Sequence, residues 1–159
     1  MSSTTNTTTP AGTSAGTAAD APGVWAAASQ RRQRRLWRAC TVLAGAALAM
    51  AVWAIAAPIL GIDLVAGSGA AAQPVGPVSV AASSLLLGGA AWALLALLER
   101  MGERGVRIWQ VTGWLVLALS LAGPLLMGGA WPVLATLLLM HVVVGVTLML
   151  GLAHSRRLA

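Results

Sequence analysis

Apolar residues in this chain come in four long runs separated by short polar or glycine-rich stretches, with no sustained alternation of apolar and polar positions. The runs extend from about Leu36 to Leu60, Val78 to Leu98, Ile108 to Met127 and Pro132 to Leu152. At 1.5 Å per residue, a helix over any of them covers a hydrocarbon core about 30 Å thick. Pro77 and Pro132 stand at the starts of the second and fourth runs, where a missing N–H costs a helix nothing. The pattern predicts an all-α fold: a four-helix transmembrane bundle over residues 31–159, with spans at about 36–60, 78–98, 108–127 and 132–152.

Residues 1–30 read differently. They form a Thr/Ser/Ala/Gly tract with Pro10 and Pro22 and almost no large apolar side chains, Trp25 being its one sizeable anchor. Such a segment buries too little surface to offset its ordering entropy, so a disordered tail is expected. It lacks the basic start and apolar core of a secretory signal. Arg31 and Arg32 ahead of Leu36 loosely resemble a twin-arginine export signal, with Ala54-Ile55-Ala56 as a cleavage site. The apolar run is longer than such signals carry, which favours an uncleaved first helix.

Composition agrees with a membrane protein. Of 159 residues, 58% are hydrophobic and 9% charged, whereas soluble domains carry roughly a quarter charged residues. The net charge of +6 does not indicate a nucleic-acid partner, because the arginines flank apolar runs instead of forming a stripe on polar surface. Anionic lipid headgroups are the expected counter-charge. The basic residues are all arginine, and seven tryptophans stand with no Phe or Tyr, a usage that suggests a GC-rich bacterial genome.

The arginines also set an orientation. Arg31, Arg32, Arg34, Arg35 and Arg38 accompany the first run, Arg100, Arg104 and Arg107 the second loop, and Arg156 and Arg157 the chain end. Four crossings put all ten on one side, which the positive-inside rule makes the cytoplasm, with both termini there and the bacterial cell membrane as the location. Trp37, Trp109 and Trp131 fall at span ends, as interfacial anchors do. Trp92 and Trp114 lie at similar depth and are expected to pack together.

Few residues offer chemistry. His141 lies mid-span in the fourth run, at the depth of Ser120 in the third, and an ionisable group there needs a partner. Pro124 removes an N–H and crowds the Ser120 carbonyl, so a kink is expected, with His141 donating a hydrogen bond to the Ser120 carbonyl or hydroxyl. Haem ligation is disfavoured, since His154 lies about 20 Å along the same helix. Glu99 and Arg100 end the second span, where snorkelling and helix-end electrostatics account for them. Their functional alternative is a docking surface for lipid or protein. Glu103 and Arg107 have i, i+4 spacing for a helical pair. Asp63 reads as a turn or cap residue after the first helix. Ser84 to Gly88 is a small-xxx-small pattern of close helix packing. Cys40 reads as a packing residue, and a single cysteine forms no intrachain disulfide. No nucleophile–base set, carboxylate pair, phosphate loop or metal-ligand cluster appears, and no cofactor is expected.

Trp53, Pro58 to Leu64, Ala91 to Leu95 leading to Leu98-Glu99-Arg100, Trp109, Ser120 to Pro124 and Met140-His141 together resemble a family of small four-span actinobacterial membrane proteins catalogued as a domain of unknown function. The resemblance covers about Arg34 to Leu152. It implies the fold and the cell membrane, and no activity or catalytic residue. The expected role is therefore non-enzymatic, through helix, lipid or partner contacts, as a homo-oligomer or a subunit of a larger assembly. The alternative is a small transporter or proton-conducting module that uses His141 and the Pro124 kink.

Overall fold

A computed structural model describes residues 21–67, 69–127 and 130–155. Its helices are α1 (Ala21–Ala54), α2 (Pro77–Leu98), α3 (Glu103–Met127) and α4 (Trp131–His154). Each contains a segment long and apolar enough to cross a membrane. Leucines and valines stand exposed around the bundle, among them Leu86, Leu119, Leu126 and Leu150, as suits an apolar solvent. This is a multi-pass membrane protein.

The expected disordered tail changes at its inner boundary. Residues 1–20 lie outside the described residues, but α1 begins at Ala21, well before the arginines. Alanine, glutamine and arginine are strong helix formers, and Pro22 falls in the first turn, where it is tolerated. The other end of α1 differs too. The α-helix stops at Ala54 and continues as one π-helical turn, Ile55–Ile59, which contains Pro58. Pro58 has no N–H to give to Ala54 and its ring crowds that carbonyl, so the turn widens. Leu60 then donates to the Ile55 carbonyl at 3.0 Å, five residues back.

Beyond this turn the chain forms a small antiparallel hairpin, β1 (Val65–Ala66) with β2 (Gln73–Pro74). The Trp53 indole N–H anchors it to α1 by donating to the Val75 carbonyl at 2.7 Å. The opposite end of the bundle holds the α2–α3 connection, a 3-10 turn at Glu99–Met101 closed by Gly102 at φ +69. All eight described arginines belong to that end, with the start of α1 and the end of α4.

Helix α1 is the central element and packs mainly against α4 and α2. Its inward face repeats every three or four residues through Arg38, Thr41, Val42, Ala46 and Ala49. Small residues let the helices approach closely: a Cβ at Gly88 would lie 2.7 Å from a Val42 methyl, and Ser84 one turn earlier is buried. The Ser84–Gly88 pattern is thus the α1–α2 seam. The core has two parts. Leu95, Trp109, Met149 and Leu152 fill the arginine end; Ala49, Val80 and Met140 pack nearer the hairpin.

Candidate functional site: an intramembrane cleft and an ion-paired knot

Helices α2 and α3 are held together at the arginine end and stand apart toward the hairpin. The Trp109 indole N–H reaches the Ala91 carbonyl at 3.3 Å. Gly105 lets α3 lie against the Leu98 carbonyl, where a Cβ would come within 1.8 Å of the oxygen. Above these contacts a cleft of about 590 Å³ opens between α2, α3 and α4. Leu87 and Val116, on facing helices, both line it and stay more than half exposed, so its opening lies between α2 and α3. Val75 and Gln73 of the hairpin segment border its far end, and Trp109 and Met149 close its floor.

The wall is largely apolar, with a few polar groups set into it. Ser79, Ser83 and Ser84 come from α2, Thr112 and Ser120 from α3, and His141 from α4. The expected His141–Ser120 hydrogen bond is not made. His141 Nδ1 lies 2.7 Å from the Leu137 carbonyl of its own helix, and the Ser120 hydroxyl donates to the Leu117 carbonyl at 2.8 Å. Each side chain satisfies the backbone one turn back, a bond always within reach of a helical hydroxyl. Both nevertheless face the same cleft, so the depth match holds while the bond does not. Helix α3 continues through Pro124, which is buried, to Met127.

A second polar cluster ties the arginine end together. Arg38, only 6% exposed, donates from Nη2 to Glu99 Oε1 at 2.5 Å and from Nε to the Ser155 hydroxyl at 3.1 Å. Arg34 adds a 3.3 Å contact to the same carboxylate oxygen. The Ser155 hydroxyl in turn donates to the Leu152 carbonyl at 2.7 Å. Alongside, the Trp37 indole N–H donates to the Gly151 carbonyl at 3.1 Å, and its ring meets His154 at 5.4 Å. The Arg38 side chain thus joins α1, the α2–α3 turn and the end of α4. Glu99 is a cross-helix ion-pair partner and not a snorkelling end charge. A polar pocket of about 300 Å³ lies beside it, lined by Arg34, Glu99, Gly102, Glu103 and Val106.

Several other expectations are corrected. Trp109 is not an interfacial anchor; at 2% exposed it belongs to the core. Trp92 packs beside that core while Trp114 points outward, and the two rings make no contact. Cys40 is exposed, and Glu103 and Arg107 form no ion pair. Three placements leave their expectations standing: Arg100 is exposed in the 3-10 turn, Asp63 in the loop before β1, and Trp131 at the start of α4. Among the described residues no three His, Cys, Asp or Glu side chains gather as metal ligands.

A family model matches residues 29–158, from just ahead of the arginine stretch to just past α4. The chain belongs to DUF6069, a family of unknown function. The match spans the ion-paired knot and the whole cleft. No curated protein and no solved structure is detectably similar to the chain.

Proposed function

We propose that this DUF6069 protein is a membrane-embedded binding protein that takes a lipid-derived apolar molecule from the bilayer into the cleft between α2 and α3. The observation that carries this reading is the cleft itself. Its size falls within the range of about 300–1,000 Å³ typical of ligand sites, and its walls combine apolar side chains with a few placed polar groups. Its mouth lies between two helices apolar enough to sit in lipid, so an occupant arrives laterally from the membrane. A proton-conducting role has less support, because His141 is the only titratable side chain on the cleft wall among the described residues and the floor is packed with apolar residues. The positive-inside rule puts the arginine end in the cytoplasm, where the exposed Arg31, Arg32, Arg35 and Arg104 meet anionic headgroups.

The test is extraction of bound lipid from protein purified in mild detergent, with mass spectrometry of the extract. Wild type retains a defined species in near-stoichiometric amount. Ser83→Leu with Ala90→Leu, two exposed wall positions, fills the cleft and loses it. Equal retention by both proteins overturns the proposal.

A further inference from the structure

The cleft's polar atoms carry a chemical bias that its shape alone does not reveal. A carbonyl oxygen only accepts hydrogen bonds, so His141 Nδ1, 2.7 Å from the Leu137 carbonyl, must carry the ring proton. In its uncharged form the imidazole then presents Nε2 as a bare lone pair, and Nε2 has no partner among the described residues. The neighbouring hydroxyls are committed in the same sense. Ser79 donates to Gly76 at 2.7 Å, Ser83 to Val80 at 3.2 Å and Ser120 to Leu117 at 2.8 Å, each into a backbone carbonyl. Each therefore turns only oxygen lone pairs toward the cleft. The one indole at the floor, Trp109, has given its N–H to Ala91. Ser84 and Thr112 make no hydrogen bond among the described residues and are the only uncommitted hydroxyls on the wall.

We infer that the cleft selects an uncharged amphiphile bearing a hydroxyl, of the long-chain or isoprenoid alcohol class, whose O–H donates to His141 Nε2. This rests on the reading of the cleft as a lipid-binding site and narrows its occupant. Among the described residues, no arginine lines the cleft to neutralise a carboxylate or phosphate, and no acid lines it to hold an amine. A charged headgroup would meet lone pairs and hydrocarbon, at a large desolvation cost. Depth excludes a bulky polar head as well. His141 stands ten residues into α4, about 15 Å from its hairpin end. A hydroxyl is small enough to travel that far, and once there it needs an acceptor. His141 supplies one that nothing else occupies. Ketones, esters and ethers only accept, so they gain nothing from His141 Nε2. Leu87, Leu94, Val116 and Met149 are left to cover the chain.

Full-length protein in phosphatidylcholine nanodiscs is titrated with farnesol, its methyl ether and farnesoic acid, with tryptophan fluorescence as the readout and empty nanodiscs as the partition correction. Wild type is expected to bind the alcohol about tenfold more tightly than the ether, the worth of one hydrogen bond in a dry site, and the ionised acid more weakly still. His141→Phe removes that preference. His141→Gln, whose amide oxygen accepts, restores part of it and remains informative if the phenylalanine variant fails to fold. Equal binding of alcohol and ether by wild type overturns the hydroxyl inference while leaving the lipid-binding cleft intact. Absence of saturable binding by any of the three, with no difference from the Ser83→Leu, Ala90→Leu protein, defeats both.

Discussion

Replacing Glu99 with glutamine removes the only carboxylate set against Arg38 among the described residues, and the consequence can be worked from the burial of the pair. The Arg38 side chain is 7% exposed and that of Glu99 21%. Stripping one partner from a fully buried pair costs about 3–5 kcal/mol, because the remaining charge stays desolvated. Partial exposure of Glu99 and the retained Arg38–Ser155 bond reduce the expected loss to about 2–3 kcal/mol. Removing both charges, in Arg38→Met with Glu99→Leu, leaves no buried charge from this pair, only the more exposed Arg34 without its carboxylate, and should cost less than the two single changes summed. The measurement is reversible unfolding by SDS from mild-detergent micelles, arranged as a double-mutant cycle. A coupling energy near 2 kcal/mol is expected. Single variants that each cost under about 0.5 kcal/mol and simply add would show that the knot is a solvated surface pair, and the account of how α1, α2 and α4 are joined would fail.

Three further outcomes follow from local geometry. Gly105→Ala drives a Cβ into the Leu98 carbonyl and should cost about 2–3 kcal/mol in the same assay, whereas Gly89→Ala, with nothing within 4 Å, should change stability by less than about 1 kcal/mol. Trp53→Phe keeps an aromatic ring but loses the indole N–H bond to Val75, so amide exchange across residues 61–76 should quicken by about tenfold with little change in global unfolding. In a Cys40→Ser background, Ala70→Cys should react with an impermeant maleimide applied outside intact cells, and Arg104→Cys only after permeabilisation; the reverse pattern would invert the proposed orientation.

The number of long apolar helices and the gathering of the described arginines at one end were legible because each depends on position along the helix axis, which sequence supplies at 1.5 Å per residue. What sequence reasoning missed depends on rotation about that axis. His141 and Ser120 share a depth, yet each hydroxyl or ring atom turns to its own backbone, and only the packing angles show that both open on one cleft. Trp109 and Trp131 look alike at span ends, and they differ because α2 and α4 cover the first and nothing covers the second. Arg38 carried a signal that was available. It is the one arginine embedded in an apolar run, and Glu99 is the acid that directly follows another such run. Two opposite charges so placed at matching ends of neighbouring antiparallel spans point to a cross-helix pair. Pro58 likewise marked the end of regular α-helix, though not the π-turn that replaced it.

The cleft is a consequence of how the chain is connected. At the arginine end α2 turns into α3 through Glu99–Met101 and Gly102, and Gly105 permits near backbone contact just beyond, so the two helices cannot separate there. At the other end nothing joins them directly: α2 leaves toward α1 through the hairpin, and α3 leaves toward α4. α4 lies close to α3, where Leu117 packs over Gly145 and Met149 over Gly113, while α2 is held against α1 by the Gly88–Val42 seam. With α1 packed against α4, it is α2 and α3 that diverge from the fixed hinge, and the space between these two widens toward the hairpin. The same ion pair that secures the hinge sits next to the closed floor of the cleft, so weakening the knot should loosen the Leu95–Trp109–Met149–Leu152 floor before it affects the mouth. Lipid retention by Glu99→Gln protein, measured below its unfolding transition, would then fall while the hairpin stayed protected from exchange.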